Sequence, residues 1–201
     1  DDKGLIIPPK VAYNKVVLIP LLFKGKEEKV LKKAKEIHKK LRKYNPIFDD
    51  RDYNPGWKLN EWELKGIPVR IEIGPKDLSK KQVTIARRDT GKKYEVKQAS
   101  ISKELDLLLD EIQNNLFKKA KQEFDKKIVE VKDMSELKKV ISQKKVAKVF
   151  FCGSITCEDN IKDQTEGAVS VNMPFEKSKI KGKCIFCKKE ADNFCYFAKS
   201  Y

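Results

Sequence analysis

One histidine, His38, is all that the 201 residues contain. A lone imidazole has no second histidine with which to share metal or acid-base work, so centres built on paired histidines are excluded. His38 reads as an ordinary helix residue. Long apolar runs are missing too: nothing approaches the roughly 18 to 20 consecutive apolar residues of a membrane-crossing helix, and Asp1-Asp2-Lys3-Gly4 lacks the hydrophobic region of a secretion signal. A soluble, cytoplasmic protein with no membrane partner is the expectation. No glycine-rich phosphate loop, internal repeat or low-complexity linker occurs. A start at Asp1 instead of Met reads as a piece excised from something longer, with any catalytic domain upstream.

Arginine is scarce. Of the 45 basic residues only five are Arg, and four of these, Arg51, Arg70, Arg87 and Arg88, lie between residues 51 and 88. In a chain that otherwise uses Lys, this concentration marks positions where a planar, bidentate fork does what an ammonium cannot. Positive charge is what abounds: 45 basic against 30 acidic residues give +15 at pH 7. A polyanionic partner, most often nucleic acid, is one source of such an excess, and solvated lysines in a lysine-favouring composition are the other. Residues 1–100 carry 25 basic and 14 acidic groups, residues 101–201 carry 20 and 16. A basic partner surface therefore belongs mainly to the first half.

Patterning points to an α/β architecture, in a chain long enough for one large domain or two small ones with real cores. Val16-Val17-Leu18-Ile19-Pro20 is a continuous, β-branched run that reads as a buried strand. Val30, Ala34, Ile37 and Leu41 recur at spacings of four, three and four, one stripe of an amphipathic helix over residues 27–41. Residues 46–48 are extended, residues 49–56 form a polar, turn-rich loop, and residues 67–73 and 82–87 alternate with strand period. These elements make a mixed β-sheet flanked by helices. Ser102 is placed to cap a long connecting helix with the seam Leu105, Leu108, Leu109, Ile112, Leu116, Ala120, Phe124 and Ile128. Asp133 with Glu136 opens a short helix through Val140, and residues 146–151 read as a strand. The tail from 152 is poor in long periodic segments, so something other than a large core is expected to order it. The domain boundaries expected are 1–120 and 121–201.

That tail holds every cysteine: Cys152-x4-Cys157, then Cys184-x2-Cys187, with Cys195 left over. Two close pairs joined by a longer stretch are the spacing of a four-thiolate zinc site, whose closed coordination makes the metal structural. Disulfides, apolar packing of unbound thiols and redox chemistry at Cys184-x2-Cys187 are the alternatives at this level. Lys188 stands where a Cys-x2-Cys knuckle usually continues with Gly. Together with Lys189 it would offset the negative charge of four thiolates.

The stretch Pro55-Gly56-Trp57-Lys58-Leu59-Asn60-Glu61-Trp62-Glu63-Leu64-Lys65-Gly66-Ile67-Pro68-Val69-Arg70-Ile71-Glu72-Ile73-Gly74-Pro75-Lys76-Asp77 resembles the anticodon-binding domain of prolyl-tRNA synthetases. Similarity extends upstream to Gly4-Leu5-Ile6-Ile7-Pro8-Pro9 and downstream through Arg87-Arg88-Asp89-Thr90-Gly91. The cysteine pairs and the ending Phe197-Ala198-Lys199-Ser200-Tyr201 resemble the extra C-terminal domain of the archaeal and eukaryotic-like form. The resemblance implies the class II anticodon-binding fold followed by a small α+β zinc-binding domain. It further implies that the chain recognises the tRNA for proline as the C-terminal part of a proline-tRNA ligase. ATP-dependent aminoacylation, with ATP and Mg²⁺, would then occur in an upstream catalytic domain of a homodimeric enzyme, leaving no catalytic residue here. A stand-alone RNA-binding protein using the same pair of domains is the competing reading.

By position, the resemblance implies that Glu63, Arg70, Lys76, Asp77 and Lys92 contact the anticodon, whose second and third bases are guanines. A carboxylate accepts from guanine N1–H and N2–H₂ together, and Arg or Lys donates to O6 and N7. The same residues also suit plain ion pairs, Glu63 with Lys65 and Arg70 with Glu72. Arg87 and Arg88 are expected to meet phosphates, and Trp57 and Trp62 to serve a core or hinge before they stack on bases. The aromatic terminus with Phe194, Tyr196 and Phe197 is expected to dock as a strand. Tyr201 is implied as the link to the catalytic domain.

Overall fold

The computed structural model describes residues 1–23, 25–175 and 181–199. Two compact units divide the chain, residues 1–119 and 120–201.

In the first unit, β1 (Val16–Pro20) is buried at all five residues because it lies inside a sheet covered on both faces. Helix α1 (Glu27–Lys40) leads to β2 (Ile47–Phe48), and α2 (Pro55–Leu64) leads to β3 (Val69–Ile73), both strands parallel to β1. After the short α3 (Pro75–Ser79), β4 (Gln82–Arg87) and β5 (Lys93–Lys97) add antiparallel strands, giving the order β2-β1-β3-β4-β5. The expected stripe Val30, Ala34, Ile37 and Leu41 is buried against Val16, Leu18, Ile71 and Ile85. Helix α4 (Ile101–Lys127) packs Ile101, Leu105, Leu108, Leu109 and Ile112 on the same face. Burial of each such Leu or Ile contributes about 1.5 to 3 kcal/mol. On the opposite face α2 covers only Val17 and Ile19, through Leu59 and Trp62.

Three expectations change here. The loop expected over 49–56 ends at Asn54, whose Oδ1 accepts the Gly56 N–H at 2.9 Å while Pro55 opens α2. Helix α4 starts before Ser102, since the Glu104 N–H already bonds to the Ser100 carbonyl, so Ser102 sits in the first turn and caps nothing. The seam also stops short: Phe124 is 59% exposed and Ile128 belongs to the next strand.

In the second unit, β6 (Ile128–Glu130) runs parallel to β7 (Val146–Phe151). Helix α5 (Met134–Ser142) lies between them in sequence, capped by Asp133 Oδ1, which accepts the Glu136 N–H at 2.9 Å. Helix α6 (Ile155–Gln164), β8 (Ala168–Asn172) and a small hairpin of β9 (Gly182–Lys183) and β10 (Glu190–Ala191) follow. Strand β11 (Asn193–Lys199) docks between β7 and β8, so the sheet order is β6-β7-β11-β8. Contrary to expectation, the tail from 152 shares a continuous apolar core with α5 and β7, where Ile161, Ala168 and Phe197 join Leu137, Val149 and Phe151.

Candidate nucleic-acid interface and cysteine centre

Alternation along β3 sorts its side chains. Val69, Ile71 and Ile73 enter the core, so Arg70 and Glu72 must emerge on the other face. Register carries that polar face across the neighbouring strands: Arg70 lies opposite Ala86 and Glu72 opposite Thr84, and these lie opposite Lys93 and Glu95 of β5.

Arg70 is fixed on it. Its Nε donates to Glu72 Oε1 at 3.1 Å, its Nη1 donates to the Leu59 carbonyl at 3.0 Å, and Glu63 Oε2 lies 3.9 Å from Nη1. Lys93 reaches the same Glu72 carboxylate at 2.8 Å. Glu72 is buried, and two cations pair with it. Glu63 and Arg70 border a cleft of about 130 Å³ together with Lys3, Arg88, Gly91 and Lys93. A carboxylate and a guanidinium thus face one small space, able to accept and to donate hydrogen bonds at once. Lys65 does not pair with Glu63; it pairs with Glu61 at 2.6 Å, and Glu63 pairs with Lys3 at 3.4 Å.

Lys76 and Asp77 sit on α3, at the opposite end of β3 from Arg70. Lys76 is exposed, while Asp77 Oδ2 accepts the Gly74 N–H at 2.8 Å, which orders the turn. Lys92 is exposed in the β4–β5 turn next to Lys93. Arg87 and Arg88, expected at phosphates, are committed to internal acceptors instead. Arg87 follows Val83 and Ile85 onto the core side of β4, where it clamps the fully buried Asp89 at 3.0 and 2.9 Å and reaches Glu111. The period-two pattern of residues 82–87 already carried that information. Arg88, 8% exposed, forks onto Asp1 and donates to the Glu63 and Gly4 carbonyls.

A second buried acid positions α2. Asp49, 2% exposed, accepts two bonds from Arg51 at 2.8 Å and one from Trp62 Nε1 at 2.6 Å. Burial pushes its carboxyl up, but these donors outweigh it and bring the pKa down to about 2. Arg51 also lies over the rings of Tyr53 and Trp57. Trp62 is thereby a core residue, whereas Trp57 is 49% exposed against Tyr53. Sequence reasoning passed over Asp49 and Lys93, though an acid beside a lone Arg was a signal for the first.

In the second unit, the sulfurs of Cys152, Cys157, Cys184 and Cys187 all lie within 4.8 Å of one another. Cys152 is 3.6 Å from Cys157 and 3.8 Å from Cys187. A tetrahedron with metal–sulfur bonds of about 2.3 Å has edges of about 3.8 Å, so the four thiols can hold a metal ion. Two matching turns bring them together. After Cys152 the chain turns at Gly153, φ +77°, and the Ser154 N–H points to the Cys152 sulfur. After Cys187 it turns at Lys188, φ +62°, and the Lys189 N–H points to the Cys187 sulfur. Lys188 adopts the left-handed turn in place of the usual Gly. The Lys189 N–H draws the Cys187 thiol down to about 7, while burial pushes Cys157 up to about 12. Cys195 stands apart on β11, buried opposite Val149. Tyr201 lies outside the described residues.

No helix among the described residues is long and apolar enough to cross a membrane. Residues 15–107 match the family model "Anticodon binding domain", and residues 134–201 match "Prolyl-tRNA synthetase, C-terminal". Over its whole length the chain is 41% identical to a proline-tRNA ligase of Oceanobacillus iheyensis, 41% to one of Alkaliphilus oremlandii and 38% to one of Natranaerobius thermophilus. It spans 42% of the length of each of these relatives, their C-terminal part. The polar β3–β5 face and the four-cysteine centre therefore sit in two successive domains of one known family, and the chain belongs to the prolyl-tRNA synthetases as the stretch that carries their anticodon binding and C-terminal domains.

Proposed function

We propose that this chain reads the anticodon of the tRNA for proline as the C-terminal part of a cytoplasmic proline-tRNA ligase of the archaeal and eukaryotic-like form. Activation of proline with ATP and Mg²⁺ belongs in this reading to the upstream catalytic domain, and the whole enzyme works as a homodimer. One observation carries the proposal: Glu63 and Arg70 border the same small cleft beside the polar face of β3. Glu63 accepts from guanine N1–H and N2–H₂, a donor pair that adenine lacks, and Arg70 donates to O6 and N7. Lys76, Asp77 and Lys92, which lie outside this cleft, make further contacts to the anticodon. Arg87 and Arg88 reach phosphate only if their internal carboxylates release them, so they act first by fixing the hairpin and the N-terminal segment around Glu63.

Zinc is the metal that fits four thiolates at these separations, held by Cys152, Cys157, Cys184 and Cys187. With every position filled by sulfur it supplies a structural tie. Tyr201 in this reading connects the second domain to the catalytic one. The test is equilibrium binding of the 201-residue chain to a proline tRNA transcript and to one whose two anticodon guanines are replaced by adenines. Preference for the first by roughly tenfold or more is expected; equal affinity overturns the anticodon reading.

A further inference from the structure

The second domain carries a cleft of about 950 Å³ that is separate from the cysteine centre. It opens where α5 and α6 end; Lys138, Lys139, Lys145 and Lys199 line it alongside Lys144, and among the described residues Glu166 is the one carboxylate in its lining. Among the described residues, none of these four lysines has an acidic partner within 4.0 Å. Like charges gathered around one space repel each other, and an anion in the cleft removes that cost.

The helix ends account for only part of the charge. Lys139 lies in the last turn of α5, where a cation complements the carbonyl end of the helix. Lys145 enters β7 and Lys199 leaves β11, so neither belongs to a helix. The lining also says what the occupant is. Among the described residues it contains no aromatic residue, and its apolar members, Ile141, Val146 and Ala198, are short of the bulky anchors that hold protein partners. Lysine without arginine suits point-charge contact with phosphates more than forked recognition of a base. The space exceeds what one small anion fills.

We propose that this cleft binds the phosphodiester backbone of RNA without reading base identity, a second RNA contact distinct from the anticodon face. The choice of RNA among polyanions rests on the function proposed above. Counterion release makes the contact measurable, because each lysine that meets a phosphate adds nearly one unit to the dependence of log affinity on log salt.

The test compares the 201-residue chain with a variant carrying Lys138→Gln, Lys139→Gln, Lys145→Gln and Lys199→Gln, and with the corresponding four Lys→Arg changes. Folding is checked by circular dichroism. The probes are the proline tRNA transcript and its adenine-anticodon form. The Gln variant is expected to bind both RNAs about tenfold or more weakly, with a salt slope lower by about two to three. The Arg variant is expected to bind as the parent does. Unchanged affinity and slope in the Gln variant overturn the proposal, including the case in which that variant instead loses binding to the upstream segment of a relative. Failure of the anticodon reading gives a different result, equal binding of the two RNAs by the parent chain, and leaves this comparison intact.

Discussion

Arg70 and Glu72 leave β3 on the same side and are joined by a 3.1 Å Nε to Oε1 bond, with Lys93 on the same carboxylate at 2.8 Å. The guanidinium is thus oriented before any base arrives, and its plane cannot be reproduced by an ammonium. Arg70→Lys keeps the charge but loses the fork. Discrimination between guanine and adenine anticodons is expected to fall by about 1 to 3 kcal/mol, with a smaller change in affinity at low salt. Paired titrations of the two tRNAs measure it, and an unchanged ratio removes Arg70 from base reading.

Asp49 gives the first domain an acid-sensitive anchor. Its folded pKa of about 2 lies below the ordinary 3.8, so the stabilisation is complete above about pH 4 and lost as the pH falls toward 2. The linkage amounts to about 2 kcal/mol. Asp49→Asn is expected to lower the melting temperature at neutral pH and to flatten its decline in acid. An acid limb as steep as that of the parent assigns the sensitivity to other carboxylates.

Two glycines separate backbone strain from crowding. Gly66 turns the chain out of α2 at φ +72°, and a Cβ there would run into the Leu5 backbone. Gly153 has φ +77° with open space around it. Gly153→Ala is expected to cost about 1 to 2 kcal/mol from conformation alone, and Gly66→Ala to cost more, because the segment around Leu5 must also move. Denaturant midpoints compare them; equal losses mean that the N-terminal segment yields freely.

Metal removal tests the cysteine centre. One Zn²⁺ per chain is expected, and chelation should speed hydrogen exchange around residues 152–157 and 184–187 while the first domain keeps its protection. Because Leu137, Val149, Phe151 and Phe197 form a core of their own, β7 and β11 should lose the least protection. A metal-free preparation with unaltered exchange assigns the four thiols to apolar packing.

Much of this fold was legible wherever burial imposes a period. β1 and β7 fall on the expected residues because each has at least one wholly apolar face, and β4 because Val83 and Ile85 mark its core side. β5 escaped notice because only Val96 in Lys93–Lys97 is buried, and α6 because only Cys157 and Ile161 face the core. Ile128 keeps helical spacing with α4 yet pairs with Val146; strand pairing overrides a local pattern that no packing supports. At the candidate site, alternation shows that Arg70 and Glu72 share a face. The positions of Glu63, Lys76, Asp77 and Lys92 came from resemblance alone, since their neighbours are brought together by tertiary contacts that no spacing encodes. For the cysteines, spacing sufficed to group four and leave out Cys195.

The sheet of the second domain has one further consequence. β7 and β8 do not pair with each other; in the sheet, among the described residues, they are joined through β11. Before β11 inserts, both strands present bare edges with apolar side chains beside them, a template for pairing with another chain. Aggregation of this protein on heating should therefore begin by loss of that one strand. A proline placed at Cys195, in the middle of β11, should raise the aggregation rate well before it disturbs the first domain, as light scattering against tryptophan fluorescence from Trp57 and Trp62 can follow.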